Sequence, residues 1–339
     1  MPATAPVTVV IDQRDDPATT AAALDAHHPA AGIITVHPTP AAGTPAALAH
    51  DMLHALGKTV LGAREQHGTW ADSLTPAWNA ATAWIHAHDI DHVIVVRAHQ
   101  LTARRIQQLL ELRRRTRLRL TLLWHSPPTD TLAQLLNGIS HQLTEDLTTI
   151  TGQPQQPEYT PARRSQASPP PEHPRPQQPQ AAWISPSPPT RGQVMPRLPH
   201  QPCPGLEHTH ATPPVAEPSD HDEVTSEVTA RLGTLAHPLH AAALATTICT
   251  KARLEHLTLI RAIDINQTHT HIKTHDSPAH RRCRLHALPV WTQPLLAAAT
   301  HYHQLSGRPP QSTLYPLITS QHQSELANYA AAIRVRLSP

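Results

Sequence analysis

The sequence predicts an α/β N-terminal domain with a parallel sheet over residues 1–150. A Pro-rich disordered linker over 151–221 and a small, mainly α C-terminal domain with one β-hairpin over 222–339 follow it. Three observations predict this. Residues 6–150 alternate strand-like and helix-like segments, which is the pattern of a parallel sheet crossed by helices. Val93-Ile94-Val95-Val96 is an unbroken β-branched run, as in a strand buried on both faces. Beyond residue 150, Gln-Pro-Gln-Gln-Pro, Ser-Pro-Pro-Pro and Pro-Arg-Pro-Gln-Gln-Pro replace apolar periodicity, and such a segment cannot bury enough surface to offset its ordering entropy.

The elements follow in order. Val7–Ile11 is a first strand, and Pro17–Ala26 a short helix with Pro in its first turn. Gly32–Val36 is a second strand. Pro45–Leu56 carries Leu48, Met52, Leu53 and Leu56 at helical spacing and stops at Gly57. Pro76–His88 is a helix with Trp78, Trp84 and Ile85 inward. After Val93–Val96 come a helix at Thr102–Arg115, a strand at Leu118–Trp124, and one helix over Asp130–Leu143 with Asp130 as its cap. In the C-terminal part, helices are expected at Glu223–Leu235, Pro238–Thr247, Ala252–Ile260, Trp291–Gln304 and Gln321–Arg336. Thr268–Thr274 and Arg281–Leu288 alternate around Asp276-Ser277-Pro278 as a hairpin. With the linker between them, the two parts are expected to fold as separate units.

Composition narrows the function. The chain has no Phe and 3% aromatic residues, so Ala and Leu must fill its core. A formal charge of +2 gives no global field toward nucleic acid, and attention moves to local clusters. Cys203, Cys249 and Cys283 form no C-x-x-C pair, which suggests neither a zinc knuckle nor a disulfide framework. No signal-peptide pattern is visible, and no apolar run nears the ~20 residues of a membrane span, so a cytoplasmic protein without membrane contact is expected.

The segment Val93-Ile94-Val95-Val96-Arg97-Ala98-His99-Gln100-Leu101 has the layout of the strand end where nucleotide hydrolases keep their metal-binding acid. That end reads as four apolar residues, then Asp-Glu-Ala-His-x-Leu. Ala98, His99 and Leu101 are in place, while Val96 and Arg97 stand where the acids belong. After the first strand, Asp12 to Thr19 has the length of a phosphate loop, G-x-x-x-x-G-K-[ST]. Asp12 and Pro17 occupy the Gly positions and Ala18 the Lys position, and only Thr19 matches. Asp12, Asp15 and Asp16 would repel a triphosphate, and magnesium has no anchor. The layout of residues 6–145, including the helix Leu-Ala-His-Asp-Met-Leu-His-Ala-Leu-Gly, resembles that of transposition-associated AAA ATPases. The resemblance implies a degenerate P-loop-like fold and assembly on DNA beside a transposase or integrase, without the ATPase activity. An unrelated Rossmann-like or flavodoxin-like domain is the alternative.

Lys251-Ala252-Arg253-Leu254-Glu255-His256-Leu257, with Asp264 eleven residues after Arg253, resembles the first catalytic block of tyrosine recombinases and phage integrases. Lys273 then resembles that family's hairpin lysine. The second block, H-x-x-R with a following Tyr, is missing: His322-Gln323-Ser324-Glu325 ends in the wrong charge. No catalytic residue is therefore expected, because paired Arg donors and a phenol nucleophile are lacking. What the resemblance leaves is contact with duplex DNA by Arg253, Lys273, Arg281, Arg282 and Arg284.

A second basic surface is the Arg-rich helix. Arg104, Arg105, Arg113, Arg114, Arg115, Arg117 and Arg119 fall within sixteen residues against one acid, Glu111. Arg113, Arg114 and Arg115 are expected to face outward, as a solvated face, the usual reading of a charge run, or toward phosphates or an acidic protein partner. Pairs such as His269/His271 could share a strand face. With 28 His and no carboxylate pattern beside the pairs, they do not predict a metal site, and no cofactor is expected. The sequence thus points to a non-catalytic, DNA-associated accessory protein of a mobile-element or recombination system. An adaptor that binds an acidic partner through the Arg-rich helix is the alternative, and an enzyme with an unrecognised site is a third.

Overall fold

In a computed structural model, the structure describes residues 5–40, 43–60, 70–127, 130–146, 226–275 and 283–316, together with Leu326, Ala330 and Ala331. The expected linker, Arg281, Arg282 and most of the helix expected at Gln321–Arg336 lie outside the described residues.

Strands β1 (Val7–Ile11), β2 (Ile33–Val36), β3 (His92–Val95), β4 (Arg119–Trp124) and β5 (His141–Thr144) form one sheet in the order β2-β3-β4-β1-β5. Every pairing in it is parallel. β5 is a correction. The stretch Asp130–Leu143 is not one helix: α5 (Asp130–Leu136) ends before Gly138, whose φ of 75° suits glycine, and the chain then pairs with β1. β5 is exposed and, apart from Leu143, polar, as an unshielded edge strand should be.

Helices α1 (Pro17–Asp25), α2 (Ala47–Ala55), α3 (Leu74–Ala87) and α4 (Ala103–Thr116) connect the strands. Valines and isoleucines alternate between two clusters. Val7, Val9, Val93, Val95, Leu120 and Leu122 join Leu48, Met52, Trp84 and Leu109 in the larger one. Val10, Ile94, Val96 and Leu123 meet Ala23 of α1 in a small one. Thr35 fixes α1 there by donating its hydroxyl to the Ala23 carbonyl at 2.6 Å.

The C-terminal part contributes α6 (Ser226–Gly233), α7 (Pro238–Thr250), the short α8 (Leu254–Leu257), a hairpin of β6 (His271–His275) and β7 (Cys283–Ala287), and α9 (Gln293–Leu305). The helix expected over Ala252–Ile260 is only one turn. Lys251 takes a left-handed φ of 53° before it, and the Ile260 carbonyl accepts from the Leu314 amide after it.

The two parts are not separate units. The described residues of both parts cluster as one compact body, with one apolar cluster running through them. The cause is α3. Ala77, Ala80, Ala81 and Ala83 are buried with Trp84 and Ile85, so the helix has apolar surface nearly all round and needs cover beyond the sheet. α9 and α7 pack against it, and Leu295, Leu296, Leu239 and Leu244 of these helices are buried in the same apolar cluster. Polar links fix the register. The Trp84 indole N–H donates to the Ala236 carbonyl at 2.8 Å, and Thr59 forms a parallel bridge with Leu235. Lys58 donates its Nζ to the Gly233 carbonyl at 2.6 Å and sits 3.6 Å above the Trp84 ring. Among the described residues, no helix is long and apolar enough to cross a membrane.

Two predictions follow from the junction. Trp84→Ala removes a fully buried indole and leaves a cavity, at a cost of about 3–5 kcal/mol. Urea unfolding should show that loss as one transition for both parts, whereas separate transitions with only one shifted would contradict the shared core. Burial pushes Lys58 down to about 7, against the pull of the Gly233 carbonyl and the Trp84 face. The unfolded chain then holds a proton that the folded chain has released, between about pH 7 and the ordinary lysine value of about 10.4, so stability rises with pH through that window. The urea midpoint should rise between pH 7 and 9.5 more in the native chain than in Lys58→Met, and equal rises would contradict it.

Candidate functional site

Three places were open to a functional role, and local geometry separates them. The first is the carboxyl end of the parallel sheet, where open α/β sheets commonly bind ligands. Asp12, Arg97 and His125 follow β1, β3 and β4, so adjacent strands bring them together. The turn after β1 is occupied by its own acids. Asp12 Oδ2 accepts the Asp16 amide at 2.8 Å, and Asp16 Oδ1 accepts the Ala18 amide at 2.9 Å as the cap of α1. Those amides are therefore committed within the turn, which a phosphate loop would leave for its ligand. Pro17 occupies the first helical position, and Thr19 is buried. Val96 is buried in the smaller apolar cluster. Arg97 has a left-handed φ of 53°, and its guanidinium lies 3.6 Å from Asp15. His125 Nδ1, on a buried ring, stands 3.3 Å from Asp12 and 3.2 Å from Asp15. The His125 amide donates to His99 Nδ1 at 3.3 Å. This end of the sheet is a self-paired cluster of acids, imidazoles and one arginine.

The second place is α4. Thr102 caps it, and Ile106, Leu109 and Leu112 bury one face. Arg113 is a correction to the expected outward triplet. It is buried, and its guanidinium donates to the Ala5 carbonyl ahead of β1, so it cannot offer a fork to phosphate. Arg114 and Arg115 both hydrogen-bond Glu111 at 2.7 Å. The Arg114 and then the Arg115 hydrogen bonds hold that carboxyl down to about 2. Arg117 ends the helix at a left-handed φ of 60°, and Arg119 lies 3.4 Å from Asp91. A shallow cavity of about 340 Å³ lies between α3 and α4, with Leu74, Trp78 and Leu112 among its walls and Arg104 and Arg115 at its rim.

The third place is the hairpin. β6 and β7 pair antiparallel with Thr274 opposite Arg284 and His275 opposite Cys283. The left-handed Lys251 turns the chain off α7, and Arg253 opens α8. These features bring Lys251, Arg253, His256, Arg284 and His286 around a cavity of about 290 Å³. Among the described residues no carboxylate lines it, and three fixed cations share the recess. Glu255 lies 3.8 Å from Arg253 and from His256, with both ends of the Arg253 pair exposed. Burial and then the Arg284 charge lower His286, which favours its neutral ring, and its Nε2 meets the Thr274 hydroxyl at 3.0 Å.

Beneath the hairpin lies a brace. Asp264 is fully buried. It accepts from the Arg261 amide at 2.9 Å, from Arg261 Nε at 3.0 Å and from Arg261 Nη2 at 2.9 Å. His275 Nε2 stands 2.9 Å from the same carboxylate. Burial raises the Asp264 pKa, but the His275 and Arg261 hydrogen bonds outweigh it and leave the carboxyl below its ordinary value. The position of β6, and so of Thr274 in the cavity wall, depends on this ionised group.

Of the residues expected to touch DNA, the structure brings Arg253 and Arg284 together. Lys273 is buried and does not line the recess. Arg281 and Arg282 lie outside the described residues. Lys251 was overlooked as a site residue although it opens the same sequence block, because it falls between the helices expected at Pro238–Thr247 and Ala252–Ile260 and spacing alone does not show a cavity wall. Among the described residues, no group of three or more His, Cys, Asp or Glu side chains could hold a metal ion. Compared with known protein families, curated proteins and solved structures, the chain matches none of them.

Proposed function

We propose that the chain is a non-enzymatic, DNA-associated accessory protein of a mobile-element, integration or recombination system, and that it contacts DNA phosphates through the hairpin recess. The observation that carries this reading is the convergence of Lys251, Arg253 and Arg284 on one cavity that no carboxylate among the described residues lines. A cationic recess of this kind favours an anion, and arginine forks match phosphate oxygens. Arg253 belongs to the sequence block that resembles the first recombinase block, which supports phosphodiester as the anion. Its partner on DNA would be an integrase or transposase. Nucleotide hydrolysis is not part of the reading, because Asp12 and Asp16 take the amides that a triphosphate would need.

A second reading, an adaptor for an acidic protein, has one observation in its favour: the recess between α3 and α4, with its apolar floor and Arg104 and Arg115 at the rim. Its weakness is Glu111, which already takes Arg114 and Arg115.

Duplex DNA binding, followed by fluorescence anisotropy at several salt concentrations, separates these readings. Each neutralised phosphate adds about −0.9 to the log–log salt slope. Replacing Lys251, Arg253 and Arg284 together with Ala should flatten the slope by up to about three, while replacing Arg114 and Arg115 should change it little. A slope carried by Arg114 and Arg115, or no binding at low salt, would reject the recess as the phosphate contact.

A further inference from the structure

The His275 ring that Asp264 holds has a second neighbour. Its Nδ1 lies 3.1 Å from the Cys283 sulfur across the hairpin. Register explains the meeting, since His275 and Cys283 are directly paired residues of β6 and β7. The imidazole is fully buried, whereas Cys283 is exposed. A thiol within reach of a base, with the base oriented by a carboxylate, is the arrangement of an activated nucleophile. We propose that Cys283 is a nucleophilic thiol that exchanges with small, negatively charged disulfides, with His275 as its base and Asp264 as the residue that positions His275.

The proton assignments follow from Asp264. An ionised carboxylate only accepts, so His275 Nε2 carries a hydrogen and Nδ1 is left to receive the thiol proton. The thiolate that forms stands beside an imidazolium, one N–H of which faces sulfur and the other Asp264. Arg261 offsets part of the Asp264 charge, so the carboxylate acts chiefly by fixing the ring's tautomer and orientation. In the exchange, Cys283 Sγ attacks one sulfur of the disulfide. A new S–S bond forms, the old one breaks, and the departing thiolate leaves with its electron pair and takes the proton from Nδ1.

The preference for an anionic disulfide comes from the surroundings. Arg284 follows Cys283 in β7 and takes the opposite face of the ribbon, and the recess that it lines with Lys251 and Arg253 also reaches His275. Carboxylates on the disulfide, as in the glutathione class, fit this field; an amine-bearing disulfide does not. Cys249 offers a contrast within the chain, because burial pushes it up to about 12 and leaves it inert.

The test uses the full chain with Cys203→Ser, treated with oxidised glutathione or cystamine between pH 5.5 and 9, with adduct formation followed by intact mass. An ordinary thiol titrates near about 8.5, so its rate falls about ten-fold per pH unit below that value. Cys283 should instead react at pH 6.5 at least about ten-fold faster than this extrapolation, form one adduct that Cys283→Ser abolishes, and prefer oxidised glutathione. His275→Gln should restore the steep ordinary profile. Should His275→Gln fail to fold, the exposed-site variant Arg284→Ala gives an independent check through loss of the preference for glutathione over cystamine. A steep profile in the native side-chain setting would overturn the activation, and faster reaction with cystamine would overturn the anionic preference. Neither readout depends on DNA binding.

Discussion

The buried surface of α3 is the constraint on which the rest of the structure depends. A helix in which Ala77, Ala80, Ala81, Ala83, Trp84 and Ile85 are all covered cannot be satisfied by one sheet face. Alanines keep it slender enough for α2, α4 and α9 to approach from different sides, which suits a chain without phenylalanine. Trp84 supplies the bulk that alanine lacks, and its indole N–H finds a carbonyl in the C-terminal part. The hairpin and its recess therefore stand on a framework that includes the parallel sheet.

Electrostatics then sorts the basic residues. Counting arginines favours α4, but geometry favours the hairpin. In α4, a single glutamate satisfies two guanidiniums and a backbone carbonyl ahead of β1 takes a third. At the end of the sheet, Arg97 and His125 face Asp15 and Asp12. The hairpin recess is different because the buried acid near it, Asp264, is spent on Arg261 and His275, and Glu255 reaches Arg253 only through an exposed pair at 3.8 Å. Lys251, Arg253 and Arg284 line the cavity.

Much of this fold was legible in the sequence, and the gaps have physical causes. The β-branched run at Val93–Val96 and the strands Val7–Ile11 and Leu118–Trp124 fall within a residue or so of β3, β1 and β4, because burial on both faces leaves an unambiguous apolar signal. β5 was missed because an exposed edge strand such as His141-Gln142-Leu143-Thr144 carries no such signal. The joining of the two parts was missed because periodicity shows one apolar face of a helix, not how many partners share it. Arg113 was misplaced for a related reason: helical spacing locates a residue on a face, and a long side chain can still turn inward to a carbonyl. For the recess, Arg253 and Arg284 were legible through the quoted blocks. The His275–Cys283 pairing needed the hairpin register, and the strand expected to end at Thr274 stopped one residue short of it.

Hydrogen exchange of the full chain with and without a short DNA duplex tests the central claim most directly. Phosphate contact at the recess predicts slower exchange in the Lys251–Leu257 turn and in β6 and β7, with α4 and the Asp12–Asp16 turn unchanged. Slowing confined to α4, with the hairpin unchanged, would contradict the account.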